Sequence, residues 1–180
     1  MKEHELHNYK LVLQYEGIRY NGWQKQKNQE NTIQEVVENA VFDGTGERAE
    51  VIGSGRTDAG THAMGQVANV KLGQDLEPER LMDNINKHLP SDIKILECEK
   101  VDNRFHARLN AKAKTYMYTL CVGKKPDVFN RRTVLHYCAD LDVDAMKKAA
   151  EYLKGEHDFM SFCSNKRTKK STVRKIYDIE

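Results

Sequence analysis

Apolar and polar residues alternate in two stretches of the first hundred residues, and a period of two is typical of β-strands. Tyr9 to Tyr15 (YKLVLQY) predicts a first strand, and Ile93 to Val101 predicts the last strand of this part of the chain. Two further runs able to form strands, Ala49 to Ser54 and Gln66 to Leu72, enclose a segment rich in glycine. We therefore predict four strands, with a loop between the second and the third.

Two stretches have the period of an amphipathic helix. Thr32 to Glu35 has the capping-box pattern, and apolar residues recur on one face after it, at Ile33, Val36, Val37, Ala40 and Val41. Pro78 stands at the first turn of a second helix that extends to Leu89. The predicted order is βαββαβ, the split βαβ pattern of a ferredoxin-like sheet. Residues 9 to 101 are therefore predicted to form one unit.

The remaining residues predict a shorter second half. Thr115 to Val122 (TYMYTLCV) favours a strand in which Tyr116 and Tyr118, two residues apart, face the same side. Beyond it we predict a short strand at Thr133 to Tyr137, a helix capped by Asp142 and closed by Gly155, a loop at His157 to Cys163 and a strand at Thr172 to Ile179. The predicted fold class is α+β, with two ferredoxin-like halves of mainly antiparallel sheet flanked by helices. We place these halves at residues 1–104 and 105–180 and expect the second to be incomplete.

Charge is distributed unevenly, although the net charge is only +2. Residues 1–102 hold 12 Lys and Arg against 18 Asp and Glu, whereas residues 103–180 hold 17 against 9. Asn165 to Lys175 contains six Lys and Arg and no acid. Such a basic surface supplies the salt-dependent part of nucleic-acid affinity, although a solvated basic surface without a ligand has the same composition. Arg108 is a candidate phosphate contact.

Cysteine spacing and hydropathy exclude several classes of protein. The four cysteines form no CxxC pair and have no histidine at zinc-like spacing, so neither a metal site nor a disulfide framework is predicted. The first ten residues lack an apolar signal core, and no apolar run approaches membrane-spanning length. We expect a cytoplasmic protein with no metal and no membrane association.

The predicted loop lies in Gly53 to Val70, GSGRTDAGTHAMGQVANV, and glycines this dense suit a site where a ligand lies against main chain. Gly55 and Gly60 have P-loop spacing, but Thr61 and His62 stand where Lys and Ser or Thr are required. A dinucleotide fingerprint fails as well, since its third glycine falls on Asp58. No nucleotide cofactor is therefore expected.

Arg56 and Asp58 stand two residues apart on this loop. A guanidinium within a few Å favours the ionised carboxylate, so Asp58 is a candidate nucleophile or base. The alternative is an aspartate that only hydrogen-bonds its own turn, with Arg56 as a surface partner.

Six segments in the same order resemble the TruA family of tRNA pseudouridine synthases, and together they span nearly the whole chain. The segments are YEGIRYNGWQKQ (15–26), NTIQEVVENA (31–40), GRTDAGTHAMGQV (55–67), FHAR (105–108), KTYMY (114–118) and HDFMSFC (157–163). Thr61, where most relatives carry Val, is a small departure. Family members continue further, into a strand, a helix and an apolar segment with a Met-Val-Arg motif, so the resemblance implies a fragment or a short relative.

The resemblance implies an isomerase that converts uridine to pseudouridine in the tRNA anticodon stem-loop, at positions 38 to 40, without a cofactor. Asp58 would be the nucleophile, attacking either C1′ of the ribose or C6 of the base. Arg56 would hold Asp58 and fill the space that the flipped base leaves. The other expected substrate-binding residues are Tyr116, which would stack near the uracil, Arg108, His62, Lys169 and Lys170. The partners implied are tRNA and a second copy of the chain, since TruA relatives are homodimers.

Two other functions compete with this interpretation. A noncatalytic RNA-binding module on a ferredoxin-like sheet, or an inactive fragment of the synthase, would bind RNA and be indifferent to Asp58. Such modules carry stacking aromatics in an RNP-like run, and Tyr116 and Tyr118 are the nearest approach to one. A metal-dependent hydrolase using His62, His106 or His157 lacks the usual ligand spacing.

Overall fold

The computed structural model describes residues 6–26, 30–123, 127–163 and 171–180. Two compact units make up the chain, Met1–Tyr116 and Met117–Glu180. The division falls after the segment around residue 105, which we expected to open the second half. The reason lies in side-chain bonds that tie this segment to the first sheet.

The first unit has the predicted element order. Its elements are β1 (His7–Tyr15), α1 (Ile33–Thr45), β2 (Val51–Gly53), β3 (Ala63–Leu72), α2 (Pro78–Asn86) and β4 (Ile93–Val101). The strands form one sheet in the order β2-β3-β1-β4, and every neighbouring pair is antiparallel. In the central strand β1, Leu11 stands opposite Ala68 on one side and Cys98 on the other.

One face of this sheet forms the hydrophobic core. Every second residue of β1 from Tyr9 to Tyr15 is buried there, as the alternation of the sequence requires. Helices α1 and α2 contribute buried residues to the same cluster, among them Ile33, Val37, Leu81 and Ile85. Each fully buried side chain of this size contributes about 1.5–3 kcal/mol. The core therefore fixes the positions of the strands from which the candidate loop projects.

The helices begin where the sequence predicts. Thr32 caps α1 by accepting a hydrogen bond from the Glu35 amide at 3.4 Å, and Pro78 opens α2. Helix α2 ends at Asn86, before the predicted Leu89. The Asn86 side chain instead bonds both backbone groups of Ile95, at 2.8 and 3.0 Å, and so ties the helix end to β4.

The other face of the sheet binds the segment that follows β4. Asn8 Nδ2 donates to the carbonyls of Asp102 and Phe105, both at 2.9 Å. Asn69 Oδ1 accepts from the Ala107 amide at 2.9 Å, while its Nδ2 donates to Asn8 Oδ1 at 3.1 Å. Both asparagines are buried with all of these bonds formed. This polar pair places residues 102–107 in the first unit.

The second unit has less regular structure. Its elements are β5 (Leu120–Val122), β6 (Leu135–Tyr137), α3 (Val143–Glu151), β7 (Gly155–Asp158) and β8 (Val173–Ile176). Strands β5 and β6 pair in parallel, and β7 and β8 pair antiparallel. The α+β class is confirmed. Within the described ranges, no helix is both long and apolar enough to span a membrane.

Three local predictions for this part of the chain are wrong. The helix predicted to be closed by Gly155 ends at Glu151, and Gly155 instead begins β7. The strand expected over Thr115 to Val122 begins only at Leu120, so Tyr116 and Tyr118 do not share a strand face. The expected loop at His157 to Cys163 begins inside β7, because Gly155 to Asp158 pair with Ile176 to Val173 of β8. The two strands concerned, β5 and β7, each pair with a single strand further along the chain. Local sequence patterns therefore did not predict their bounds.

Candidate active site

The candidate site is the loop that connects β2 with β3, residues 54–62, called here the Asp58 loop. At its start, the Ser54 amide donates to the Val67 carbonyl at 2.7 Å and so extends the pairing of these two strands. Gln66 Nε2 donates to the Gly55 carbonyl at 2.6 Å. The rigid sheet therefore determines where the loop leaves its surface.

A turn near the end of β1 supports the middle of the loop. The Trp23 amide donates to the Thr57 carbonyl at 3.0 Å, and the Gly60 amide donates to the Tyr20 carbonyl at 3.2 Å. The indole of Trp23 is buried against Gly53, where a Cβ would lie 2.5 Å from Cε2. A side chain at position 53 would displace the indole, so glycine is needed here by close packing.

Thr57 anchors the loop from within. Its hydroxyl hydrogen-bonds the phenol of Tyr15, the last residue of β1, at 2.9 Å. Burial raises the pKa of Tyr15, an effect that the bond to Thr57 only partly opposes. With Thr57 held inward, Arg56 and Asp58 on either side of it are both exposed.

Asp58 lies at the start of a tight turn. Its carbonyl accepts from the Thr61 amide at 3.1 Å, and Gly60 within the turn has a φ of 78°. Among the described residues, none hydrogen-bonds the Asp58 carboxylate, so the side chain does not cap its own turn as the alternative interpretation proposed. The carboxylate is open to a ligand.

The expected ion pair between Arg56 and Asp58 is wrong for this structure. Across the described ranges, no ion pair joins the two residues, and Arg56 Nε instead donates to Gln24 Oε1 at 3.1 Å. The turn at Tyr20 to Trp23, whose Trp23 amide donates to the Thr57 carbonyl, brings Gln24 to the arginine. Sequence reasoning assigned no role to Gln24.

Lys114 adds a positive charge that sequence reasoning also missed. A Cβ built on Gly55 would lie 2.4 Å from Lys114 Nζ, so the ammonium group rests against the loop backbone. Both Gln24 and Lys114 lie in segments that carry the family resemblance, YEGIRYNGWQKQ and KTYMY. Their position in those family segments was the one feature of the sequence that indicated a role for either residue. Spacing in sequence could not indicate that either residue reaches the Asp58 loop.

His62 and His106 both accept bonds from main chain. His62 Nδ1 accepts from the Gly17 amide at 3.3 Å, and His106 Nδ1 accepts from the Arg108 amide at 3.2 Å. His62 is half-buried at the end of the Asp58 loop. Its bond to Gly17 helps to hold the loop on the turn that follows β1.

Of the other predicted substrate-binding residues, the structure describes Tyr116 and Arg108, and neither bonds the Asp58 loop within the described ranges. Tyr116 is 76% exposed, and within the described part of the chain its ring and hydroxyl make no hydrogen bond or ring contact. Arg108 is exposed, beyond the buried Ala107 that anchors its segment. Lys169 and Lys170 lie outside the described residues.

Comparisons with known proteins agree on one family. A family model described as tRNA pseudouridine synthase matches residues 11–110 and 149–180, which include the whole Asp58 loop. A protein of Bacillus cereus named tRNA pseudouridine synthase A 2 is 44% identical over 175 residues, which are 97% of this chain and 71% of that protein. Proteins named tRNA pseudouridine synthase A from Bacillus sp. strain KSM-64 and Acetivibrio thermocellus are 45% and 41% identical, with the same coverage.

Proposed function

The chain belongs to the tRNA pseudouridine synthase family, as its TruA-like segments predicted, and from that membership we propose that it isomerises uridine to pseudouridine in tRNA with Asp58 as the nucleophile. One structural observation carries the assignment of the residue. The Asp58 carboxylate is exposed and has no bond to any described residue. Its loop is held by backbone bonds to β3 and to the turn at Trp23, and by the Thr57 hydroxyl bonded to Tyr15. An unpaired group on a rigid support is what nucleophilic attack requires.

The proposed reaction moves the bond between ribose and base. A carboxylate oxygen of Asp58 attacks either C1′ of the ribose or C6 of the uracil, and the bond between C1′ and N1 breaks. The base turns and a bond forms between C1′ and C5 as the carboxylate is released. C5 loses its proton to solvent, and N1, no longer bonded to C1′, takes up a proton from solvent. Atoms and electrons balance without a redox partner or a nucleotide.

Arg56 has two proposed tasks in this reaction. A base inside a stem has to be flipped out, at a cost of about a few kcal/mol. With Nε engaged by Gln24, the terminal nitrogens of Arg56 form no bond within the described residues and can contact a phosphate. Its planar guanidinium can also occupy the space left by the flipped base. Lys114, against Gly55, adds positive charge for the RNA backbone.

For the substrate we propose uridines at positions 38 to 40 of the anticodon stem-loop, bound by a homodimer in the cytoplasm. The family resemblance supports this choice, and the excess of basic residues in 103–180 supplies the electrostatic attraction. Arg108 and Tyr116 are both exposed and are proposed to contact the bound RNA. Lys169 and Lys170 are proposed phosphate contacts.

Replacement of the nucleophile tests the proposal. We expect Asp58→Asn to retain the fold and tRNA binding, and to abolish tritium release from tRNA labelled at C5 of uridine, because an amide cannot form the covalent intermediate. Tritium release reports the formation of the bond between C1′ and C5 directly. Gel-shift titration and circular dichroism would measure binding and folding in the same preparations.

Asp43→Asn is the matched control, since Asp43 is an exposed aspartate on α1 and the variant changes charge equally. It should release tritium at the unmodified rate. Undiminished turnover by Asp58→Asn would refute the nucleophile, and tRNA binding without turnover in the unmodified chain would favour the noncatalytic RNA-binding module.

A further inference from the structure

Arg56 is held by a series of side-chain amides that leads into the core of the first unit. We propose that Gln24 is a positioning residue for Arg56, and that the buried Gln34 imposes the orientation of the Gln24 amide. The inference rests on the proposed function, in which Arg56 acts on the substrate. It concerns how an exposed arginine is kept in one geometry before RNA binds.

The orientation of Gln34 is dictated by two backbone groups. The Val51 carbonyl can only accept, and Gln34 Nε2 donates to it at 3.1 Å. The Lys25 amide can only donate, and Gln34 Oε1 accepts from it at 3.0 Å. Gln34 is 4% exposed, so water cannot replace these partners at low cost. Its amide therefore has one favourable orientation.

The orientation of Gln24 follows from that of Gln34. Gln34 Oε1 also accepts from Gln24 Nε2 at 2.7 Å, which leaves Gln24 Oε1 to accept from Arg56 Nε at 3.1 Å. A reversed Gln24 amide would set two acceptors against each other at one end and two donors at the other. The acceptor offered to Arg56 is thus determined by backbone groups of β2 and of the turn after Trp23.

Glu38 completes the support on the side of α1. Its Oε1 accepts from Gln34 Nε2 at 3.1 Å and from the Val51 amide at 3.2 Å. Its Oε2 forms an ion pair with Lys25 Nζ at 3.2 Å. The series from Arg56 to Glu38 therefore ends on a carboxylate that is itself held by backbone and by an ion pair.

This arrangement orders a side chain that would otherwise have many rotamers. In the proposed reaction Arg56 acts once the base is flipped out, so an unrestrained arginine loses conformational entropy at that step. A bond at Nε reduces this loss while leaving the planar group available. Removal of the acceptor should therefore slow the chemical step more than it weakens tRNA binding. A purely structural glutamine would affect stability instead.

The test is a double-mutant cycle between Gln24 and Arg56. Gln24→Met keeps the length and the apolar stem of the side chain but removes the amide, so the half-buried position stays filled. We expect it to lower the single-turnover rate about tenfold, as for loss of a hydrogen bond to a charged group, with the tRNA dissociation constant changed less than about twofold. In the Arg56→Ala background, Gln24→Met should cause no further loss.

Gln74→Met is the matched control, because Gln74 also donates one amide bond, to the Thr45 carbonyl at 2.9 Å, and is exposed. It should leave the rate unchanged. An equal loss from Gln24→Met in both backgrounds would overturn the inference, as would an effect confined to the dissociation constant.

A measurement on the free protein separates this inference from the reaction itself. In the absence of tRNA, Gln24→Met should accelerate hydrogen exchange of the Arg56 Nε proton, observed by NMR, whereas Gln74→Met should not. Unchanged exchange would overturn the positioning role. If accelerated exchange is found while Asp58→Asn remains active, the nucleophile assignment fails and the positioning of Arg56 stands.

Discussion

At the scale of single residues, the position of the Asp58 loop depends on its close contact with the turn that contains Gly22. Gly22 has a φ of 80°, in the left-handed region that glycine occupies readily. A Cβ at this position would lie 2.5 Å from the Thr57 carbonyl. Position 22 therefore requires glycine for two reasons. Its backbone is left-handed, and a side chain there would clash with Thr57.

These two requirements can be separated by comparing Gly22→Ala with Gly46→Ala. Gly46 ends α1 with a φ of 77°, and a Cβ there would meet nothing within 4 Å. Both variants should lose about 1–2 kcal/mol of unfolding free energy from the left-handed backbone. Only Gly22→Ala should also lose turnover, because it alone displaces Thr57. Urea denaturation and tritium release would measure the two effects, and equal turnover in both variants would contradict the contact.

At the scale of elements, Asp92 joins β4 to the turn that supports the loop. The side chain of Asp92, the residue before β4, accepts from Tyr20 Oη at 2.7 Å and from Arg19 Nε at 2.8 Å. The backbone carbonyl of Tyr20 in turn accepts a hydrogen bond from the Gly60 amide of the Asp58 loop. Burial opposes charge on Asp92, but the bonds from Tyr20 and Arg19 outweigh it and hold the pKa of this carboxyl below its ordinary value. Burial and the bond to Asp92 raise the pKa of Tyr20 to about 12.

This cluster predicts how stability depends on pH. Since the pKa of Asp92 is lower in the folded state, its contribution is present above the unfolded pKa and is lost as pH falls through the folded pKa. Asp92→Asn should therefore cost about 1–3 kcal/mol at neutral pH, and the difference from the unmodified chain should shrink below about pH 4. Urea denaturation at both pH values would measure it.

Asp83→Asn, an exposed aspartate on α2, serves as the control and should show no such convergence at acid pH. A difference between Asp92→Asn and the unmodified chain that is equal at neutral and acid pH would show that the carboxylate charge contributes nothing to the cluster.

At the scale of the whole molecule, the separation of charge along the chain matters more than the net charge. Residues 1–102 carry an excess of acids, and they include the Asp58 loop. Residues 103–180 carry the basic excess. Apart from Lys114 at the Asp58 loop, the basic excess should therefore act mainly on the attraction of a polyanion, so most substitutions in 103–180 should change binding more than chemistry.

Charge reversal in the basic segment tests this division. Lys169→Glu combined with Lys170→Glu should weaken tRNA binding and reduce the slope of log affinity against log salt by about 1 to 2, because phosphate contacts release counterions. The rate at saturating tRNA should stay the same.

The control for this pair makes the same charge change in the acidic part of the chain. Lys87→Glu combined with Lys94→Glu alters two exposed lysines of the first unit and should leave the slope unchanged. An unaltered slope in the Lys169 and Lys170 variant would exclude these residues as phosphate contacts.

The parts of the structure that were predictable are those governed by local rules. The alternation from Tyr9 to Tyr15, the capping pattern at Thr32 and the proline at position 78 depend on neighbours a few residues away, and each appears as expected. Where a partner far along the chain decides the outcome, local patterns were insufficient. Helix α2 ends at Asn86, whose side chain bonds the backbone of Ile95, and pairing with β8 makes a strand of the expected loop at His157.

For the candidate site, the sequence by itself determined the family, because an ordered set of motifs is a property of the chain, and it supplied Asp58 and Arg56 as the candidate residues. Tertiary structure decided the partners. Arg56 is bound to Gln24 instead of Asp58, since the turn at Trp23 brings an oriented amide within 3.1 Å of the guanidinium. Hydrogen bonds depend on distance and direction in the folded chain, and separation in sequence specifies neither.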